Sequence, residues 1–298
     1  MDRTTNPAAF RRFDAGHDAQ PDAGKGDQRR ERKRRHFGPL EYLHQAALTT
    51  RDLVRGAIPD HELVVFRTFL EGMESTLREK LTRLKGGARL LGTHFAFPSE
   101  IFAGFDSVVP VCMETVSYAT AAFFAAGTEE HYDRAIAFGH PYHTCSSQKG
   151  VIGMSLKPDY FDVDLVAIPT APCDNTMSSY QYFSEVAGVP TIVADMPQYH
   201  DERGYAYFAN QLRLMIDELS KVTGQEPDVD KLREAVSYST RAVNALAEIN
   251  ELRASKPCPV ESLFNPIGSC VQNFFAGRPE KAVFYERVLD AARERAKK

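Results

Sequence analysis

The sequence predicts an α/β protein: a parallel sheet flanked by helices, with a helical segment before it and a long-helix region after it. Three observations carry that prediction. Four short apolar runs, 89–93, 108–112, 165–168 and 191–194, read as strands. The stretches between them have helical spacing, and strand–helix–strand alternation folds as parallel strands with helices on their faces. After Asp195 the strand-like runs stop, while helical periodicity continues almost to the last residue.

Taken in order, residues 1–37 are rich in Asp, Gly, Pro, Gln and Arg and lack hydrophobic periodicity, so they read as a disordered basic tail. Residues 1–36 hold 10 Lys/Arg against 6 Asp/Glu, whereas the remainder holds 26 against 34. The run Arg29 to Arg35 has the look of a nucleic-acid patch, but it is short, carries no interleaved aromatics and precedes an acidic body. Nucleic acid is therefore not the expected partner. From Leu40 to Leu84 the pattern is helical: Leu63, Phe66, Leu70, Met73, Leu77 and Leu81 recur at spacings of three and four, and Gly86 with Gly87 ends the stretch.

Helices are expected between the strands at about 114–126, 149–156 and 178–187. A further helix presents Phe208, Leu212, Met215, Ile216 and Leu219 on one face and stops at Gly224. The next, about 229–252, is expected to bury Leu232, Val236, Val243 and Leu246, and Pro257 and Pro259 follow its end. A last helix is expected over about 279–295.

With 298 residues the chain has room for one large domain or two modest ones. It shows no secretory signal and no run of about 18 apolar residues, so a cytoplasmic location without membrane spans is expected. Five scattered cysteines argue against a disulfide framework, and without a C-x-x-C pair no zinc ribbon is supported. No dinucleotide fingerprint is present, since Gly150 and Gly153 lack the strand and third glycine. No P-loop, H-E-x-x-H or G-x-S-x-G occurs either.

In parallel sheets, ligands gather beyond the carboxyl ends of the strands. Cys112, Cys173 and Asp195 stand just past strand ends. Cys173 follows a strand and precedes a helix, where backbone N–H groups favour a thiolate, the form a soft metal centre needs; a small residue in a tight turn is the competing reading. Cys145 lies close to His140 and His143, which suits metal ligation or a Cys–His nucleophile, against an ordinary loop. Cys112 reads as packing, Cys258 as a linker residue and Cys270 as structural. Glu100 stands at a helix start, where the dipole stabilises a carboxylate; acid–base work is its alternative role.

These segments resemble a known family. The stretch 92–101 with 107–111, Cys145 with Ser146, and Pro172-Cys173-Asp174 with Tyr180 are similar to the 2-hydroxyacyl-CoA dehydratase and benzoyl-CoA reductase subunits of the D-component type. So are Gly188-Val189-Pro190, Asp195-Met196-Pro197, 230–235 and 250–253; Ser99 departs from the family's frequent Glu. The resemblance spans about 40–295. It implies two related α/β domains and a [4Fe-4S] cluster on three cysteines with one open iron site. Cys145 and Cys173 match two of those ligands, and the third is expected outside this chain. On this reading, 38–200 is a helical lead-in plus a first α/β domain, and 201–298 is a helical region preceding an absent second one.

The resemblance further implies an acyl-CoA substrate, a partner subunit of similar fold, and an ATP-dependent iron–sulfur activator protein that delivers one electron to form a ketyl radical. Glu100 and His143 are then the proton-transfer candidates. The alternative is a non-catalytic assembly subunit that keeps the fold without a complete cluster.

Overall fold

The computed structural model describes residues 35–123 and 128–297, and of these the side chains other than those of 122, 123 and 186. The sheet has four parallel strands, β1 (Arg89–Thr93), β2 (Val108–Cys112), β3 (Leu165–Pro169) and β4 (Thr191–Ala194), in the order β2-β1-β3-β4. Thr93 pairs with Cys112 on one side of β1 and with Ala167 on the other. The chain leaves β1 for β2 on one side, then returns to place β3 on the other. Such a reversal opens a crevice at the carboxyl ends of the two strands it separates, here β1 and β3.

The interior strands are buried on both faces, as all-parallel sheets require. Leu90, Val109, Val111, Val166 and Ile168 face the larger core, and Leu91, Val108, Leu165, Ala167 and Ile192 face a smaller one. On edge strand β4 burial alternates.

The helical lead-in is two helices, α1 (Gly38–Ala57) and α2 (Val64–Lys85), where the sequence predicts one continuous stretch. Pro59 is the reason: the residue before a proline is pushed to extended backbone, and Ile58 adopts φ −129, ψ 135. Gly87, at φ +106, then makes the turn into β1, a conformation a side chain would resist. Residues 35–37, read from sequence as part of the tail, are packed: Arg35 pairs with Asp164, the His36 amide donates to the Asp162 carboxylate, and the Phe37 ring is buried. The rest of the basic run lies outside the described residues.

Between the strands stand α3 (Met113–Phe123), α4 (Thr128–Ala137), α5 (Ser146–Ser155) and α6 (Asp174–Ala187). Part of the helix predicted over 114–126 lies outside the described residues. The sequence pattern does not predict α4, and α5 and α6 begin three and four residues earlier than predicted. Helices α7 (Glu202–Thr223) and α8 (Val229–Leu252) open on Asp201 and Asp228, whose carboxylates accept from amides of the first turn. Gly188 and Gly224 close α6 and α7 in the left-handed conformation. Helix α9 (Phe264–Phe274) buries Cys270, and α10 (Pro279–Ala296) packs against α8 and α2.

The buried stripe of α8 corrects the sequence reading at its valines, while Leu232 and Leu246 are half-buried and Leu246 packs on the main core. Val236 and Val243 are 55% and 54% exposed, and Ala235, Ala242, Ala245 and Ile249 are buried instead. The small side chains let α8 lie close to α10, so the apolar valines are not the contact face. One hydrophobic cluster runs from Phe37 to Leu289 and includes residues of α1, α2, the sheet, α8 and α10. No described helix is long and apolar enough to cross a membrane.

Candidate functional site

The carboxyl ends of the strands carry a buried polar network that the apolar pattern conceals. His94 follows β1 directly. Its Nδ1 accepts from the Ala96 amide at 3.2 Å, which leaves the proton on Nε2, and Nε2 lies 2.9 Å from Thr176 Oγ1. Burial pushes the His94 imidazole down to about 4, so it stays neutral. Glu114, in the first turn of α3, accepts from the Tyr180 hydroxyl at 2.9 Å and lies 3.8 Å from His94 Nε2. Burial lifts its carboxyl to about 7, against hydrogen bonds from the backbone and Tyr180 that work to lower it. The Tyr180 hydroxyl also lies 3.3 Å from the Thr93 carbonyl, tying α6 to the end of β1.

Two cysteines open the helices that Gln148 and Thr176 join to this network. Cys145 occupies the N-cap position of α5 and Cys173 that of α6, and neither thiol caps its helix. The Ala171–Pro172 bond leading into Cys173 is cis. Gln148, in the first turn of α5, holds the two helix starts together. Its Nε2 donates to Thr176 Oγ1 at 2.9 Å, and its Oε1 accepts from Asn175 Nδ2 and from Ser179 Oγ, the latter at 2.9 Å. Each cysteine therefore stands three residues before a member of the Gln148–Thr176 pair.

The loop before Cys145 is fastened from below and from the side. Lys149 Nζ donates to the Tyr142 carbonyl at 2.6 Å and lies 5.2 Å from the centre of the Tyr142 ring. The Tyr182 hydroxyl of α6 donates to the Phe138 carbonyl at 2.7 Å, and its ring lies against His140. Cys145 is exposed and Cys173 half-buried. Cys112 and Cys270 are buried, and burial pushes both thiols up. Two reachable sulfurs stand at the starts of two adjoining helices, whereas the other two thiols are closed off by burial. Among the described residues no three His, Cys, Asp or Glu side chains form a metal-holding group.

Of the other sequence candidates, only His143 shares a loop with one of these cysteines. Glu100 sits in a short 3-10 turn (Ser99–Gly104), its carboxylate turned to the C-terminal helices: Lys281 Nζ is 3.1 Å away, and the Ser239 hydroxyl donates to the same oxygen. Burial works to raise the Glu100 carboxyl, but the Lys281 ammonium and the Ser239 hydroxyl outweigh it and hold the group below its ordinary value. His143 is exposed on the loop two residues before Cys145. Cys258 is exposed on the loop after α8. Asp195 braces β3 against β4 by accepting from Thr170 at 2.6 Å and from Tyr207 at 2.8 Å.

Sequence reasoning passed over His94, Glu114 and Gln148. His94 and Glu114 each stand one or two residues past a strand's carboxyl end, the same signal that drew attention to Cys112.

Comparison with known proteins bears on this stretch of chain. The sequence model of the 2-hydroxyglutaryl-CoA dehydratase D-component family matches residues 94–298. The chain belongs to that family. The match begins at His94 and takes in both cysteines and the network beneath them. A curated relative, lactoyl-CoA dehydratase subunit alpha of Anaerotignum propionicum, is 31% identical over 108 residues. That alignment covers 34% of this chain and 26% of the relative, so the matched region spans about a quarter of the relative's length. The family and this relative support a dehydratase-type subunit.

Proposed function

We propose that this family member is a subunit of a [4Fe-4S]-dependent 2-hydroxyacyl-CoA dehydratase, in which Cys145 and Cys173 supply two thiolate ligands and a third comes from outside the chain. The observation that carries the reading is the pair of uncapped cysteines at the starts of two helices whose first turns are hydrogen-bonded to each other. When bound, such a cluster supplies one-electron transfer and Lewis-acid polarisation of a thioester carbonyl.

The chain's own residues prepare the place. The starts of α5 and α6 place Cys145 and Cys173 at the N-cap positions, with neither thiol engaged in a capping bond. Lys149 and Tyr182 hold the Cys145 loop against α5 and α6. His94 and Glu114, one neutral and one protonated below about pH 7, add no net charge beneath the site. His143, exposed beside Cys145, is assigned as the residue that exchanges protons with substrate. Glu100 would serve as a base only after parting from Lys281. The relative's name, a subunit alpha, supports a partner subunit, and an ATP-dependent activator protein completes the proposed system.

Anaerobic reconstitution of the full chain with iron and sulfide, with and without its partner, tests the assignment. Bound iron and a [4Fe-4S] absorbance and EPR signature are expected, and each is lowered in Cys145→Ala and in Cys173→Ala. Equal iron uptake by the parent and both variants would overturn it, and would favour an assembly subunit that keeps the fold without a cluster.

A further inference from the structure

We infer that Gln148 is a positioning residue that sets the separation of the Cys145 and Cys173 sulfurs; the inference rests on the reading of those cysteines as joint ligands. The geometry is specific to this side chain. Gln148 is 3% exposed, and both ends of its carboxamide are engaged by the first turn of α6. It donates to Thr176 and accepts from Asn175 and Ser179, a division of roles that needs one donor and one acceptor on the same planar group. Thr176 is in turn held by His94, so the bracket is referred to β1 at the centre of the sheet.

The backbone transmits the constraint. The Lys149 amide donates to the Cys145 carbonyl and the Thr176 amide to the Cys173 carbonyl, so each cysteine is locked to the turn that Gln148 grips. The rest of the α5–α6 seam near this point is a crevice lined by Val151, Ile152, Tyr180 and Phe183 beside Gln148 and Ser179. Apolar contact there is non-directional and does not fix the helix starts. Leucine at 148 would keep the volume, remove all three bonds and leave Thr176, Asn175 and Ser179 without them.

The test reads thiol proximity in the full chain without any cluster. In a Cys258→Ser background, dibromobimane becomes fluorescent when two thiolates each displace one bromide and a bridge of two thioether bonds forms. The parent is expected to bridge Cys145 to Cys173, mapped by mass spectrometry and lost in Cys145→Ser. Gln148→Leu is expected to slow bridging about tenfold through lost proximity, while single alkylation of each thiol by iodoacetamide stays within about twofold because exposure is unchanged.

Thr176→Val, which preserves shape and removes both the Gln148 bond and the His94 bond that ties the bracket to β1, is also expected to slow bridging. It decides the matter if Gln148→Leu does not fold. Bridging at the parental rate in a folded Gln148 or Thr176 variant would overturn the inference. Absence of bridging in the parent would instead overturn the shared-ligand reading on which it rests.

Discussion

Glu114 gives the fold a pH dependence that can be worked out from its surroundings. Its carboxyl rises from an ordinary 4.5 to about 7 because it is buried beside Tyr180 and Cys112. Between those values the folded state keeps a proton that the unfolded chain has released. Its contribution to stability is therefore greatest below pH 4.5 and is lost as pH rises through about 7. Each tenfold difference in proton affinity between folded and unfolded chain is worth about 1.4 kcal/mol, so roughly 2–3 kcal/mol disappears between about pH 5 and pH 8.

Glu114→Gln keeps an oxygen for the Tyr180 hydroxyl and cannot ionise. Urea unfolding of parent and variant at both pH values reads the effect, and the His94 titration, common to both proteins, cancels in the difference. The variant should gain on the parent by about 2–3 kcal/mol on going from about pH 5 to pH 8. A stability difference that is the same at both pH values would refute the claim that Glu114 is held protonated by burial.

Five further outcomes follow from the packing. Lys281→Ala removes the only cation paired with the Glu100 carboxylate among the described residues and should cost about 3 kcal/mol in thermal or urea unfolding, since removing one partner strands a buried charge. Because the Glu100 carboxyl is held below its ordinary value, its stabilisation is present above pH 4.5 and is lost as pH falls through the folded value, and Glu100→Gln should flatten that acid limb. Gly153→Ala would place a Cβ 1.8 Å from the His131 carbonyl oxygen and should cost about 3 kcal/mol. Gly150→Ala meets the rotatable Ser117 hydroxyl and should cost about 1 kcal/mol, both read as shifts in melting temperature. Brief alkylation of the native chain should modify Cys145, Cys173 and Cys258 and spare Cys112 and Cys270, counted by intact mass before and after unfolding.

The four strands are legible because each is a short apolar run bounded by Gly, Pro or polar residues, and the parallel arrangement follows from the helices between them. Where the sequence misleads, the cause is physical. The starts of α5 and α6 are polar, with Ser146, Ser147, Asp174 and Asn175, and their N-cap cysteines make no capping bond, so no start signal marks them. In α8 valines and alanines share similar spacing, and only the close approach of α10 decides that the alanines face inward.

Local pattern raises Cys145 and Cys173 only singly, and the family resemblance is what pairs them in the sequence. What no local pattern announces is the Gln148–Thr176 bond, between residues 28 positions apart, that joins the starts of their two helices. His94 and Glu114 escape for the same reason: a buried acid and a buried imidazole take their meaning from partners contributed by α6.

The family likeness starts at residue 94, one position after the central strand ends. Expression designed to that limit would discard β1, whose two neighbours would lose their shared ladder, along with α1 and α2, which line the main core against α10. The excised piece would keep both cysteines and lose the strand and helices that complete their sheet and core. A fragment meant to keep this fold therefore has to begin no later than Arg35, whose guanidinium reaches Asp164 beside β3.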